Sequence, residues 1–490
     1  MQNHNYPEGV SRRKFIGTIT GAAALVLFKM DRRAIAEAAP LNGLVTDYVG
    51  RLCYNENPLG PSPLAITAME VEIPMVHRYP DWYADSLVSK LADHFGVLSG
   101  QVVCGAGATE ILRLSAMAFT EPGGNIVSPY PSYAQFPSDA QFFGSSVRYA
   151  DLDDEYRVDL QAVYDLVDED TTCVCITNAN NPTGTLLDST VLADFVNSLP
   201  PEVVTIVDEA YFELLYGIDQ HSIFPTANGI SAIELVKEGK NVVVIRTFSK
   251  AYGLAGARIG YAIGKTSAIN SIKANGIYAT VSRPSLEAAK AALDDRDHVK
   301  DTAILNREAK NYCWSEFIEM DLEYIPSVTN FFMVDVGDGD WVRSQLASQG
   351  IYVRSGWGMP AHIRVSTGTM QEMESFISAL RQIILPGGNG KRSNRILPAT
   401  TELFQAYPNP FNSSTSIKIF LPNSQRTSLE IFDIHGRLVK KIIDRVLGSG
   451  EYAFVWNGIN ASGKSVASGS YFYRLTSGDD VITRRMILIR

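Results

Sequence analysis

The segment Arg246-Thr247-Phe248-Ser249-Lys250-Ala251-Tyr252-Gly253-Leu254-Ala255-Gly256-Ala257-Arg258 lies between two short apolar runs, residues 242–245 and 259–263. Both runs read as buried strands, being too short for helices and rich in β-branched residues. The small residues between them permit a tight turn. Lys250 therefore emerges just past the end of a buried strand. Burial disfavours the charged ammonium and frees the amine to attack a carbonyl carbon. Ser249 and Arg258 add a hydroxyl and a fixed cation to the same turn, a pair suited to a phosphate.

Outward from this turn the chain alternates. Strands are expected at 102–104, 125–128, 146–149, 173–177, 203–207, 242–245 and 259–263, with helical patterns such as 110–119 and 189–199 between them. Alternation of this kind predicts an α/β fold with a mainly parallel seven-stranded sheet and helices on both faces. After residue 273 the pattern becomes more helical, at 284–293 and 302–319, with strands at 330–335 and 362–366 and a closing helix at 371–384. These form a smaller α/β lobe.

The other strand ends carry polar residues. Asp208 ends the run 203–207 and opens Asp208-Glu209-Ala210-Tyr211; its carboxylate could pair with a protonated ring nitrogen. Asn180-Asn181-Pro182-Thr183-Gly184 is a rigid turn after the strand at 173–177, able to aim an amide at the same crevice. Gly105-Ala106-Gly107-Ala108-Thr109-Glu110 opens a helix whose free N–H groups suit a phosphate. Glu110 stands where a dinucleotide fingerprint needs a third glycine, which argues against NAD.

Asn181, Asp208, Tyr211, Lys250 and Arg258 together resemble the site of fold-type I pyridoxal-phosphate (PLP) aminotransferases, class I/II. The likeness is greatest to the histidinol-phosphate aminotransferase family and covers about residues 50–385. It extends through Asn55-Glu56-Asn57-Pro58, Arg78-Tyr79-Pro80-Asp81 and His362-Ile363-Arg364-Val365-Ser366. The resemblance implies catalytic roles for Lys250, Asp208 and Tyr211. Lys250 would hold the cofactor covalently and shuttle the substrate's proton. Asp208 would keep the cofactor's ring nitrogen protonated, and Asn181 and Tyr211 would bond its phenolic oxygen. Tyr133 would stack on the ring. Ala108 and Thr109 amides, Ser249 and Arg258 would hold the phosphate, with Tyr79 reaching the cofactor of a second subunit in a homodimer. Arg364, assisted by Arg354 and Asn181, would bind the substrate's anionic end. The implied partners are an amino donor and a 2-oxo acid acceptor; a decarboxylase of the same fold, akin to threonine-phosphate decarboxylase, and a non-catalytic surface binding protein are the alternatives. One departure bears on the substrate. The family motif N-E-N-P-Y-G carries a tyrosine where this chain has Leu59, so a hydroxyl is lost near the substrate's distal end. The segment 212–240 also looks longer than is usual in the family.

Composition agrees with a globular protein of several units. The 490 residues are 46% hydrophobic and 20% charged, and a net charge of -10 disfavours nucleic acid. Cys53, Cys104, Cys173, Cys175 and Cys313 show no CxxC spacing and read as core residues. The seven histidines lack ligand spacing, so no metal is expected.

The two ends differ from the middle. Residues 1–39 run from Ser11-Arg12-Arg13-Lys14-Phe15-Ile16-Gly17 through an apolar stretch to Ala34-Ile35-Ala36-Glu37-Ala38-Ala39. This resembles a twin-arginine signal peptide and is too short for a permanent span. The catalytic unit is then 40–385, its large lobe about 75–270 and its small lobe built from the N-terminal arm and about 271–385. Residues 386–405 read as a linker. Residues 406–490 carry 11 Lys+Arg against 6 Asp+Glu and show six alternating runs, as an all-β Ig-like sandwich would. With Tyr407-Pro408-Asn409-Pro410-Phe411-Asn412 and Trp456-Asn457-Gly458, this tail resembles a type IX secretion (type A) sorting domain. An exported enzyme of the periplasm or cell surface is expected.

Overall fold

The computed structural model describes residues 49–82, 84–215, 231–384, 401–406, 409, 411, 415–423, 425–447, 450–461, 464–478 and 480–489. The expected signal peptide, most of the linker and the middle of the 212–240 segment lie outside them.

The described chain begins with β1 (Gly50–Arg51). The seven expected strands follow as β2 (Val102–Gly105), β3 (Asn125–Tyr130), β4 (Ser146–Asp151), β5 (Thr171–Thr177), β6 (Val204–Asp208), β7 (Val242–Thr247) and β8 (Gly260–Gly264). They form one sheet in the order β2-β8-β7-β6-β5-β3-β4. All neighbours are parallel except β8, which runs against both β2 and β7. All but the edge strand β4 are largely buried on both faces, which is why they read as continuous apolar runs. Successive residues still serve opposite faces. Val174, Ile176, Val207 and Val244 pack into one core. Cys173, Cys175, Ile206, Val243 and Ile245 pack into the other. All five cysteines are free.

The register Thr177↔Asp208↔Ile245 brings the C-terminal ends of β5, β6 and β7 into one row. Behind that row Arg246 is buried with Glu209, Nη2 to Oε2 at 2.7 Å. Its guanidinium lies 3.6 Å from the ring centre of Phe212. This pair ties the residue after Asp208 to the strand that leads to Lys250.

The small lobe contains β9 (Tyr324–Ile325), β10 (Phe331–Asp335), β11 (Ile351–Tyr352), β12 (Arg354–Ser355) and β13 (His362–Ser366). Four of them form an antiparallel sheet, β12-β13-β10-β9. Helices Arg296–Glu319, Gly339–Ser348 and Met370–Ile384 contribute Cys313, Phe317, Leu346, Phe376 and Leu380 to its core. The N-terminal arm belongs to this lobe: β1 pairs with β11, and Ser366 N–H donates to the Leu52 carbonyl at 2.8 Å. Lys310 is buried among backbone carbonyls, donating to Ser327 and Thr329 at 2.8 and 2.7 Å. Burial lowers its pKa to about 7.

The C-terminal unit contains β14 (Glu402–Leu403), β15 (Thr415–Leu421), β16 (Gln425–Phe432), β17 (Leu438–Leu447), β18 (Gly450–Trp456), β19 (Gly469–Ser477) and β20 (Asp480–Leu488). These make two sheets, β14-β15-β18 and β17-β16-β19-β20, whose shared core includes Ile431, Trp456 and Tyr473. The expected boundary at residue 406 falls too late. Glu402 and Leu403 already pair with Phe420 and Ile419, so the last residues of the supposed linker are an edge strand. Two residues are too few to show an alternating pattern. Among the described residues no helix is long and apolar enough to cross a membrane, and no His/Cys/Asp/Glu group is clustered for a metal.

Candidate active site

The ends of β5, β6 and β7 face the N-terminal arm and β13. Three of the expected residues join in one hydrogen-bonded chain there. The Arg364 guanidinium, on β13, donates from Nη1 to Asn181 Oδ1 at 2.7 Å. Asn181 Nδ2 donates to the Tyr211 hydroxyl at 3.3 Å. Asn55 Nδ2 donates to the same hydroxyl at 3.0 Å, and its Oδ1 accepts from Ser366 Oγ at 2.8 Å. Arg364 Nη2 also donates to the Cys53 carbonyl at 2.9 Å. The large sheet, the N-terminal arm and the small-lobe sheet are thus tied at one point.

Lys250 Nζ donates to the Tyr54 carbonyl at 3.0 Å and lies 5.9 Å from the ring centre of Tyr211. Burial pushes its pKa down to about 8, and the Arg364 charge contributes to that lowering. An appreciable fraction of this amine is therefore unprotonated and nucleophilic near neutral pH. Asp208 is 3% exposed, and its carboxylate accepts from Ala210 N–H at 3.0 Å. Burial raises its pKa to about 6, although that bond and the Lys250 charge oppose the shift. Arg364 is 4% exposed; burial lowers its pKa to about 10. Its Nε–H has no hydrogen-bond partner among the described residues. A buried cation with an open donor calls for an anion.

A second group of expected residues surrounds the start of helix Ala108–Phe119. Its N-cap is Gly107, at φ +83°, with no side-chain cap. Helices beginning at Ser189 and Arg283 are capped by Asp188 and Ser282 side chains, whereas the amides at Ala108 and Thr109 are left unspent by a cap. A Cβ on Gly107 would lie 2.4 Å from Arg258 Nη2, so glycine is what lets the guanidinium approach. Arg258 itself is left-handed, at φ +53°, and donates from Nη1 to the Ala255 carbonyl at 2.9 Å. Ser249 Oγ accepts from Thr247 Oγ1 at 2.9 Å in the same turn. Tyr133 is an exposed neighbour of this helix start. Amides, a hydroxyl and a guanidinium so arranged suit a phosphate.

Arg354 stands directly across from Arg364 in the β12–β13 register, and both guanidinium groups approach the Trp357 ring, at 5.6 and 4.8 Å from its centre. Tyr79 joins none of these bonds; it is 84% exposed. Leu59 is also exposed. Sequence reasoning assigned no role to Asn55, Ser366 or Trp357. Asn55 carries a signal in its left-handed backbone, φ +54°, a conformation asparagine tolerates, but its partner Ser366 is 311 residues away.

Comparison with known proteins gives a consistent picture. The profile of the family Aminotransferase class I and II matches residues 49–380, and that of the FlgD Ig-like domain matches residues 411–480. Histidinol-phosphate aminotransferase of Akkermansia muciniphila is 36% identical over 354 residues, covering 72% of this chain and 94% of that protein. The enzyme of the same name from Geobacillus thermodenitrificans is 35% identical over 337 residues, 68% of this chain and 90% of that one. The crystal structure of histidinol-phosphate aminotransferase from Sinorhizobium meliloti, in complex with pyridoxal-5'-phosphate, superposes with a TM-score of 0.62 at 26% identity, covering 69% of this chain and 91% of that one. L-threonine-O-3-phosphate decarboxylase from Porphyromonas gingivalis, at 20% identity and TM-score 0.58 over 68% of this chain and 98% of its own, shares the fold.

Proposed function

The chain belongs to the aminotransferase class I and II family, and from that premise we propose that it is a PLP-dependent aminotransferase moving an amino group between an amino acid or amino-phosphate donor and a 2-oxo acid. The observation that carries this reading is the placement of the half-buried Lys250 amine, which donates to the Tyr54 carbonyl at 3.0 Å, just past the end of β7, next to the strand that ends in the buried Asp208 carboxylate.

The residues present fit the cofactor. The uncapped helix start behind Gly107, with Ser249 and Arg258, suits its phosphate, and the Asp208 carboxylate suits a protonated pyridine nitrogen. When bound, PLP supplies an electron sink for the carbanion formed at the substrate's Cα. Lys250 would hold it covalently, and its Nζ would take and return the Cα proton. Asp208 would keep the ring nitrogen protonated. Asn181 and Tyr211 would bond the phenolic oxygen, and Tyr133 would cover the ring. The Ala108 and Thr109 amides would hold the phosphate. Arg364, assisted by Arg354, binds the substrate's anionic end, to which its open Nε–H donor lends support.

We infer a homodimer in which Tyr79 reaches the second subunit's site. Its exposure among other exposed apolar side chains, Val71, Ile73, Val76 and Trp82, supports this. We infer also that residues 1–39 direct twin-arginine export and residues 406–490 type IX sorting, so that the enzyme works outside the cytoplasm, in the periplasm or at the cell surface. The FlgD Ig-like match to the tail supports an appended module. Cell fractionation tests the location: the mature protein should lack its first residues and leave the cytosol, and a cytosolic protein retaining Met1 would contradict it.

The reaction is tested by mixing PLP-loaded protein with candidate donors. Donors should convert the cofactor's absorbance to the pyridoxamine form, and 2-oxoglutarate should restore it. Release of carbon dioxide without amino transfer would favour the decarboxylase reading instead. Leu59, in place of the family's tyrosine, makes a donor other than histidinol phosphate the expected outcome.

A further inference from the structure

Lys310, on the helix Arg296–Glu319, is 5% exposed. A buried ammonium is costly unless it is well paired, and an apolar side chain of similar volume is often as good for stability. Among the described residues no carboxylate pairs with Lys310. Its partners are two backbone carbonyls, Ser327 at 2.8 Å and Thr329 at 2.7 Å. Asn306 lies one turn earlier on the same helix face and donates from Nδ2 to the Thr329 carbonyl at 3.0 Å. Three donor bonds are thus spent on one side of the loop 326–330, between β9 and β10.

The same loop reaches the site twice. Val328 N–H donates to the Gly184 carbonyl at 2.9 Å, at the end of the turn that carries Asn181. The approach is close, and a Cβ on Gly184 would overlap Ser327 Oγ. Asn330 Nδ2 donates to the Asn55 carbonyl at 3.0 Å. Asn181 and Asn55 are the two amides that converge on the Tyr211 hydroxyl, at 3.3 and 3.0 Å. One loop therefore grips the backbone near both, in the large lobe and in the N-terminal arm, and Lys310 grips the loop. The low local dielectric of the interior strengthens such bonds.

We propose that Lys310 is a positioning residue: through the loop 326–330 it sets Asn181 and Asn55 against the Tyr211 hydroxyl, and so sets the hydrogen bonding at the cofactor's phenolic oxygen. The inference rests on the reading of Asn181 and Tyr211 as that oxygen's partners. Donors to the oxygen draw off its negative charge and lower the pH at which the attached Lys250 Nζ gives up its proton. Loosening those donors raises it.

Lys310→Met keeps the length of the stem and removes the donors. In cofactor-free protein, hydrogen exchange read by mass spectrometry should speed up about tenfold in peptides over 326–330 and 180–185. Protection of β5, β6 and β7 should persist, which separates loop release from loss of the fold. In PLP-loaded protein the pH midpoint of the cofactor's absorbance change should rise by about half a unit, the loss of part of one hydrogen bond. Lys310→Gln returns two N–H donors on a shorter stem and should fall between the Met variant and the native protein in both readings. In a Tyr211→Phe background, Lys310→Met should move the midpoint distinctly less. Unchanged exchange at 326–330 in Lys310→Met would overturn the proposal. So would equal effects of Met and Gln, or an equal midpoint shift with and without the Tyr211 hydroxyl. Tyr211→Phe alone separates the two layers. If it raises the midpoint while Lys310→Met does not, only the role of Lys310 fails. If neither moves it, the phenolic-oxygen reading fails and this inference falls with it.

Discussion

Lys250→Ala should abolish transamination while leaving the fold in place. The amine is asked to supply both covalent attachment and proton transfer at the substrate's Cα. Proton transfer alone contributes up to about ten-thousandfold, so kcat should fall by about that factor or more. The structural cost should be small. The side chain's hydrogen bond goes to the Tyr54 carbonyl, and a half-buried ammonium with a pKa lowered to about 8 is held against its solvation preference. Thermal unfolding of the cofactor-free variant should therefore stay within a few degrees of the native protein. A variant that loses activity because it no longer folds would show a collapsed transition instead. Single-turnover absorbance with an active donor reads the kinetic loss, and a residual rate within tenfold of native would exclude Lys250 from the chemistry.

Asp208→Asn should lower kcat by about a thousandfold, the usual cost of removing a preorganised electrostatic partner. The amide preserves shape and can still bond a ring nitrogen, but it cannot hold the proton there. The same substitution should act on stability with a recognisable sign. Burial raises the Asp208 pKa from the ordinary 3.8 to about 6 in the cofactor-free fold. Between those values the folded state holds the proton more often than the unfolded chain. Asp208 therefore contributes stability that is full below pH 3.8 and lost as pH rises through about 6. Cofactor-free native protein should lose denaturant resistance across that window more steeply than the Asn variant. Near neutral pH the Asn variant should be at least as stable without cofactor, yet gain less on adding PLP, because its new amide offers no charge to the pyridinium. Parallel urea titrations of both proteins, with and without PLP, check this. An equal cofactor-induced gain in both would show that Asp208 does not pair with the ring.

Most of the large sheet was legible in the sequence because its strands, the edge strand β4 apart, are largely buried on both faces and therefore appear as nearly uninterrupted apolar runs. Their ends were legible too, since Asp208, Asn181 and Lys250 are polar residues placed where such runs stop. Helix starts were harder. The helix Arg296–Glu319 begins six residues before the expected 302 because its first turn, Arg296-Asp297-His298, is polar and carries little apolar pattern. The cap that does mark it, Asp295, sits among other charged residues. The half of the site supplied by the small lobe was legible only as separate motifs. Asn55 meets Ser366, and Arg364 meets the Cys53 carbonyl, across 311 residues in each case. No local pattern encodes such contacts; they follow from β1 pairing with β11. Trp357 was hidden for a different reason. Its surroundings, Ser355-Gly356-Trp357-Gly358, read as an ordinary turn, and only the fold places the ring against two arginines from neighbouring strands.

The proposed function stands on Lys250 as the residue that carries the cofactor. Borohydride reduction of PLP-loaded protein makes that attachment permanent, and peptide mass spectrometry then locates it. The expected result is a single modified peptide containing Ser249-Lys250-Ala251, absent from Lys250→Ala. Stoichiometric attachment at any other lysine, or none at all in protein that binds PLP, would contradict it.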